Sequence, residues 1–493
     1  MSAPERFRKL FVSGCCARSA FSLGAAFLLA TPASAQTVFT WTGGDILTGT
    51  YTGSPLGTTT IASGATLNLT TAASHDFNGR AIVNNGILGW SGGNFLAAGG
   101  ATLVNNATFN DASTGVFGST GVGGATMTFT NAATGTYTKS DPGSKATGIL
   151  FNNDGAVSVT GGVLNFNAGG TNSALATITA ATGTTVRFSN DYTIADLAKL
   201  TASGTGLFEL TGGTLATSGT LGVAAFNQTG GVLAGTHTLG SGTVYTWSGG
   251  AMTGPGSTAV LAGGTLTIPN TGNPTLSGRS LTNAGTVNYS PSSYITLNGT
   301  GTLTNLSGGL WDFQNDRVFN VGGIWSFDNQ AGAILRKSTT TGTLPFNLPL
   351  TNAGTVDVKG GIFSLDNGGS STGAFTLAAG STLKFNSNFT LGAGSTFSTT
   401  GNLELVSSTL TLARGSAFAP STNFTLTGGT LTGADDFNTG SGITTTWVNS
   451  TVSGTGTTKI LAGGTLAIPN TGNPTLSGRS LTNAGTVNYS PSS

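Results

Sequence analysis

Chemistry in this chain has to be sought among few residues, because only 7% of its 493 residues are charged and histidine occurs twice. Hydrolysis of a glycosidic bond needs two carboxyl groups facing each other across the bond, about 5 to 9.5 Å apart. Three pairs are near enough in sequence: Asp312 with Asp316, Asp435 with Asp436, and Asp191 with Asp196. The first keeps the best company, since Arg317 adds a charge and Trp311 an aromatic platform for a sugar. Neighbours on a strand point to opposite faces, so Asp435 and Asp436 converge only in a loop. The matching stretch around Thr236 and His237 has no carboxylate, and the Asp435–Asp436 pair reads as a solvated corner. No catalytic residue is therefore assigned, and the chain is not expected to be an enzyme. A polysaccharide lyase or glycosidase resting on Asp312 and Asp316 is the alternative.

Metal and phosphate chemistry find less. A zinc site needs three or four convergent ligands. His75 and His237 stand at unrelated places and read as corner or surface residues, while Cys15 and Cys16 lie in a segment expected to be removed. No phosphate loop ending in Lys-Ser or Lys-Thr occurs, and no Gly-Gly-x-Gly-x-Asp calcium repeat. No metal and no cofactor is expected.

The removed segment is residues 1–35. Arg6, Arg8, Lys9 and Arg18 form a basic start, Ala20 to Ala30 a short apolar run, and Ala33-Ser34-Ala35 a cleavage site. The expected mature chain starts at Gln36, and a lipid anchor at Cys15 is the rival outcome. No run reaches the ~18 apolar residues of a membrane span, so no transmembrane segment is expected. Without those 35 residues, 14 basic and 16 acidic side chains remain, a net charge of −2. That is no footprint for nucleic acid.

The chain repeats itself. Residues 261–293 return as 461–493, offset by 200, with one change, Thr267 to Ala467. A weaker first copy aligns Thr66-Leu67-Asn68-Leu69 with Thr265-Leu266-Thr267-Ile268, and Trp41, Trp247 and Trp447 open the three copies. The units are 36–246, 247–446 and a partial 447–493. Within each runs a shorter beat: a Gly, Asn or Ser turn followed by alternating apolar residues, as in Gly264-Thr265-Leu266-Thr267-Ile268 and Gly285-Thr286-Val287-Asn288-Tyr289. Period two is the pattern of strands, and the glycines supply corners. A beat of roughly 20 residues predicts the rungs of a β-solenoid, in which stacked rungs share a core that one rung alone lacks. An array of β-sandwiches is the runner-up. The one helical candidate, Ile194 to Leu200, has room for a turn or two.

Some charges recur between copies: Lys139 and Lys337, Arg187 and Lys384, Glu209 and Glu404, and Arg80, Arg279 and Arg479. They are expected at corners, where charge discourages edge-to-edge association. The three tryptophans are expected inside the stack at equivalent places about ten rungs apart. Thr-x-Thr pairs, Thr265 with Thr267 and Thr430 with Thr432, would suit an ice- or crystal-binding face if they aligned on a flat sheet.

The Thr-Asn-Ala-Gly-Thr-Val of residues 351–356, with the Gly-Gly-x-x-x-Leu and Ala-Gly-Ser-Thr-Leu that follow, resembles the repeats of bacterial surface β-helix proteins of the filamentous haemagglutinin and autotransporter-passenger type. The resemblance spans the chain after residue 35 and rests on composition. It implies a right-handed parallel β-helix, an extracellular or outer-surface location after export, and weak repeated contact with glycans, matrix or cells. The sequence departs from that type in showing no translocator barrel, secretion domain or C-terminal anchor, so a separate or missing C-terminal anchor is the expectation.

Overall fold

The computed structural model describes residues 57–119, 127–338 and 340–490, together with the backbone of the strands Val38–Trp41 and Gly44–Asp45. The leader, both cysteines and the Trp41 side chain lie outside the described residues.

Alternation decides the architecture. In Thr66–Leu69, Leu67 and Leu69 point inward and Thr66 and Asn68 outward, and the same parity holds in Ile87–Trp90 and Thr265–Ile268. Strands pair in parallel with the one three further on, or two further on where neighbouring strands fuse, so three sheets wrap one interior. The first sheet begins with Val38–Trp41, the second with Gly44–Asp45 and the third with Thr58–Ile61. The chain is a parallel β-solenoid of about 20 coils of roughly 21 residues. At ~4.8 Å per coil it is a rod of roughly 100 Å. Coil length varies with the corners, from 18 residues between Phe208 and Phe226 to 31 between Gly44 and His75.

The interior is a stack of Leu, Val, Ile and Phe in one continuous cluster with 0–9% exposure. Rings stack from coil to coil, as Phe95 on Phe117 with centroids 5.6 Å apart and Phe226 on Tyr245 at 5.1 Å. The corners need glycine where backbones crowd. Gly162 has φ 52°, and a Cβ there would lie 2.0 Å from the Gly143 carbonyl oxygen. The helical candidate is a single 3-10 turn, Leu197–Lys199, capped by the Asp196 carboxylate on the Ala198 N–H. Beyond it, third- and first-sheet strands fuse into long bent strands such as Ile295–Asn305 and Phe319–Asn329.

The long repeat and the coil are out of phase. Along the second sheet, nine steps lead from Gly44 to Trp247. Trp41 lies one strand before Gly44, on the first sheet. Nine more steps lead from Tyr245 to Phe437, the step from Phe397 to Phe418 being a ring contact at 5.3 Å. Trp447 follows one strand later, on the third sheet. A repeat is thus nine coils and a third. The tryptophans keep their place in a strand, yet each sits on a different sheet, which replaces the expected ten-rung equivalence. The stack itself runs unbroken through these points, with Gln228 opposite Trp247 and Leu426 opposite Trp447.

Candidate functional site

The candidate acids do not converge. Asp312 occupies the outward column of the second sheet, in register with Asn288 and Arg336. Asp316 turns to a corner, where Lys337 Nζ lies 2.9 Å away and the Thr340 hydroxyl donates to it at 2.5 Å. Trp311 is no platform: it is 1% exposed and packs edge-on against Phe327 at 5.1 Å. Arg317 is exposed beside them. Asp435 and Asp436 meet at a bend, each tied to backbone: Asp435 accepts from the Arg414 and Gly415 N–H, Asp436 from the Thr457 N–H and from Lys459 at 2.5 Å. Lys459 and that N–H hold the Asp436 carboxyl below its usual range. Asp191 accepts from the Thr214 N–H, while Asp196 caps its short turn.

The histidines are interior strand residues, not corners. His75 lies between Gly44 and Phe95 in the inward column of the second sheet. His237 sits 3.0 Å from the Thr258 hydroxyl, and burial, with Arg279 nearby, pushes its imidazole down to about 3. Among the described residues no group of three or more His, Cys, Asp or Glu is placed to hold a metal.

The recurring charges are not at corners in the expected sense. Arg187 and Glu209, and again Lys384 and Glu404, are outward partners in register on adjacent coils, 2.8 and 3.3 Å apart. Lys139 and Lys337 are fully buried, sharing inward parity with Tyr137 and Leu335. Lys139 Nζ donates to the carbonyls of Asp141, Gly143 and Gly161 at 2.7–2.8 Å, closing a corner from inside. Arg279 and Arg479 do the same at bends, donating to the carbonyls of Leu233, Thr253 and Gly235 and of Gly433, Ser453 and Asp435. Arg80 donates to the Thr59 hydroxyl.

Two features escaped the sequence reading. The first is a pair of buried amide ladders. On the third sheet Asn84, Asn105, Asn131, Asn153 and Asn172 each donate to the next at 2.6–2.8 Å. On the first sheet Asn283, Asn305, Asn329, Asn352 and Ser371 do so at 2.8–2.9 Å. The signal was parity, because Asn131 and Asn329 stand two residues after Phe129 and Phe327. The second is a buried charged cluster inside the first unit. Asp111 and Lys145 pair at 2.5 Å, the Tyr137 hydroxyl donates to the other Asp111 oxygen at 2.6 Å, and Lys139 meets Asp141 at 3.0 Å. Lys145 Nζ also lies 3.6 Å from the centre of a Trp90 ring. Burial raises the Asp111 carboxyl against the opposing pull of Lys145, and burial lowers the Lys145 ammonium against that of Asp111.

The outer surface is built of columns of small polar side chains. Thr409, Thr430, Thr451 and Thr475 stand in register on the first sheet, beside Thr390, Thr411 and Thr432. Thr265 and Thr267 lead instead into Leu310 and Asp312 within two coils. Glu404 opens a shallow depression on the third sheet with Asn402, Asn423, Thr425, Thr444 and Thr446. No helix among the described residues is long and apolar enough to cross a membrane. No family model, curated protein or solved structure matches the chain. Fold and surface together define a parallel β-solenoid repeat protein.

Proposed function

We propose that this chain is a bacterial cell-surface rod of the adhesin type, exported and displayed outside the cell, whose columns make weak repeated contacts with glycans or matrix. One observation carries the reading: the titratable groups singled out as catalytic candidates are tied into corners, columns or the core, while the outward face is a periodic array of Thr, Asn and Ser hydroxyls and amides. Such an array offers many equivalent hydrogen bonds and no enclosed centre, so affinity comes from the number of coils engaged. Avidity for immobilised polysaccharide or matrix should therefore fall stepwise as coils are deleted. Cleavage of a polysaccharide panel, ended by Asp312→Ala or Asp316→Ala alone, would establish the enzyme reading in its place.

The aligned threonines of residues 390–475 favour a second reading, a crystal- or ice-binding face. Spacings of about 4.8 Å between coils and 7 Å along a strand suit a flat lattice. Inhibition of ice recrystallisation that Thr411→Tyr removes would establish it; no inhibition would dismiss it.

A further inference from the structure

The interior of a solenoid is an unusual place for a reactive pair, and the cluster around Asp111 is arranged as one. Asp111 ends a first-sheet strand, and Lys145 lies inside a second-sheet strand one coil further on. The Lys145 side chain is 1% exposed and that of Asp111 is 0%. Among the described residues, Asp111 is the single hydrogen-bond partner of Lys145 Nζ, with Trp90 on the amine's flank. Lys139 makes the contrast. Equally buried, it is saturated by three carbonyls and Asp141.

We propose that Lys145 and Asp111 join in an intramolecular isopeptide bond, Nζ to Cγ, formed by the folded protein itself with loss of one water. The Nζ–Oδ1 contact of 2.5 Å lets a proton pass from the ammonium to the carboxylate, leaving a neutral amine beside a neutral acid. Burial favours that transfer, because an unhydrated ion pair is costly. The nitrogen lone pair then attacks Cγ. The negative charge that develops on Oδ2 is met by the Tyr137 hydroxyl, which already donates there at 2.6 Å. A second proton moves from nitrogen to the Oδ1 hydroxyl, which leaves as water and restores the C=O. One N–H and the C–O single bond break, one C–N bond and one O–H form, and nothing is oxidised. Holding the two groups in contact supplies the entropy that a free amine and acid lack. Tyr137 is thus a catalytic residue of the step.

The position has a mechanical logic. The coil between Phe117 and Thr147 is one of the wide ones, 30 residues against about 21. A covalent tie from Asp111 to Lys145 closes that widened coil to its neighbour. The bond is independent of what the surface binds.

Intact mass under denaturing conditions tests it. The purified chain should weigh one water less than its sequence, and trypsin should release residues 81–139 joined to residues 140–187, uncut after Lys145. Asp111→Ala and Lys145→Arg should each restore the full mass. Tyr137→Phe should leave a mixture that converts slowly, and Lys139→Met should still lose the water. A full-mass natural chain overturns the proposal, whatever the variants do. So does a water loss confined to a single tryptic peptide, which would report a cyclic imide instead.

Discussion

Asn131→Ala removes the central member of the third-sheet amide ladder. Its side chain donates to Asn153 Oδ1 at 2.8 Å and to the Ala156 and Gly135 carbonyls at 3.0 and 3.2 Å, and accepts from Asn105 at 2.8 Å. Each such bond contributes about 1 kcal/mol net, and a buried group left orphaned costs a further 1 to 3 kcal/mol. The amide's two hydrogens, one of them shared between two acceptors, and its one acceptor bond are lost, and with one orphan this amounts to about 4 to 6 kcal/mol at a fully buried site. Asn483, the repeat counterpart of Asn84 and Asn283, also ends its strand but is exposed, and its Oδ1 accepts from the Gly485 N–H, so Asn483→Ala should cost under about 1 kcal/mol. A long repeat array seldom unfolds in one step, so hydrogen exchange at the flanking amides is the proper assay. Protection of Thr136 and Ala156 should fall by about a thousandfold, since 1.4 kcal/mol is tenfold. A fall below tenfold, or an equal fall in both variants, would refute the reasoning that the ladder is a cooperative buried network.

Removal of residues 247–446 should leave a shorter folded rod by small-angle scattering, because Trp447 then follows Thr246 with the native parity. Ending that deletion one residue earlier puts Thr446 inward and Trp447 outward, and should unfold the terminal coils. Lys337→Ala should cost about 2 to 5 kcal/mol, since it empties the volume of a fully buried side chain, whereas Arg187→Ala at a partly exposed pair should cost under about 1 kcal/mol; denaturant melts of the two compare them. His237 ionises in the unfolded chain near 6.5 but in the fold only near 3, so its stabilising effect is present above pH 6.5 and is lost as pH falls toward 3. At pH 4 the loss should reach about 3 kcal/mol, and His237→Gln should abolish it; identical acid melts for the two proteins would contradict this.

Alternation and glycine corners made the solenoid legible in the sequence, because period two and a 20-residue beat are local properties of the chain. The interior polar residues were not, although parity marked them: Lys139 follows Tyr137 by two, and Asn329 follows Phe327 by two. Charge argued for the surface, and only the corner carbonyls that surround Lys139 show why it is inside. Asp111 and Lys145 stand 34 residues apart across an irregular coil, and no regular spacing brings them together. Trp311 was read as a platform because sequence separates aromatic from acidic neighbours but not inward from outward ones.

The extra third of a coil in each repeat makes the rod a screw in its surface chemistry. Arg187 with Glu209 lies on the second sheet, and the descendant pair Lys384 with Glu404 on the third. A flat object resting along one side therefore meets a given duplicated patch once in three repeats, while partners approaching from three directions each find their own copy. Lengthening such a rod does not strengthen its grip on a plane in proportion; it distributes docking points around the axis, the geometry of a cross-linking fibre. It also means that a duplication had to respect only the strand, not the coil, because the three sheets serve as interchangeable hosts.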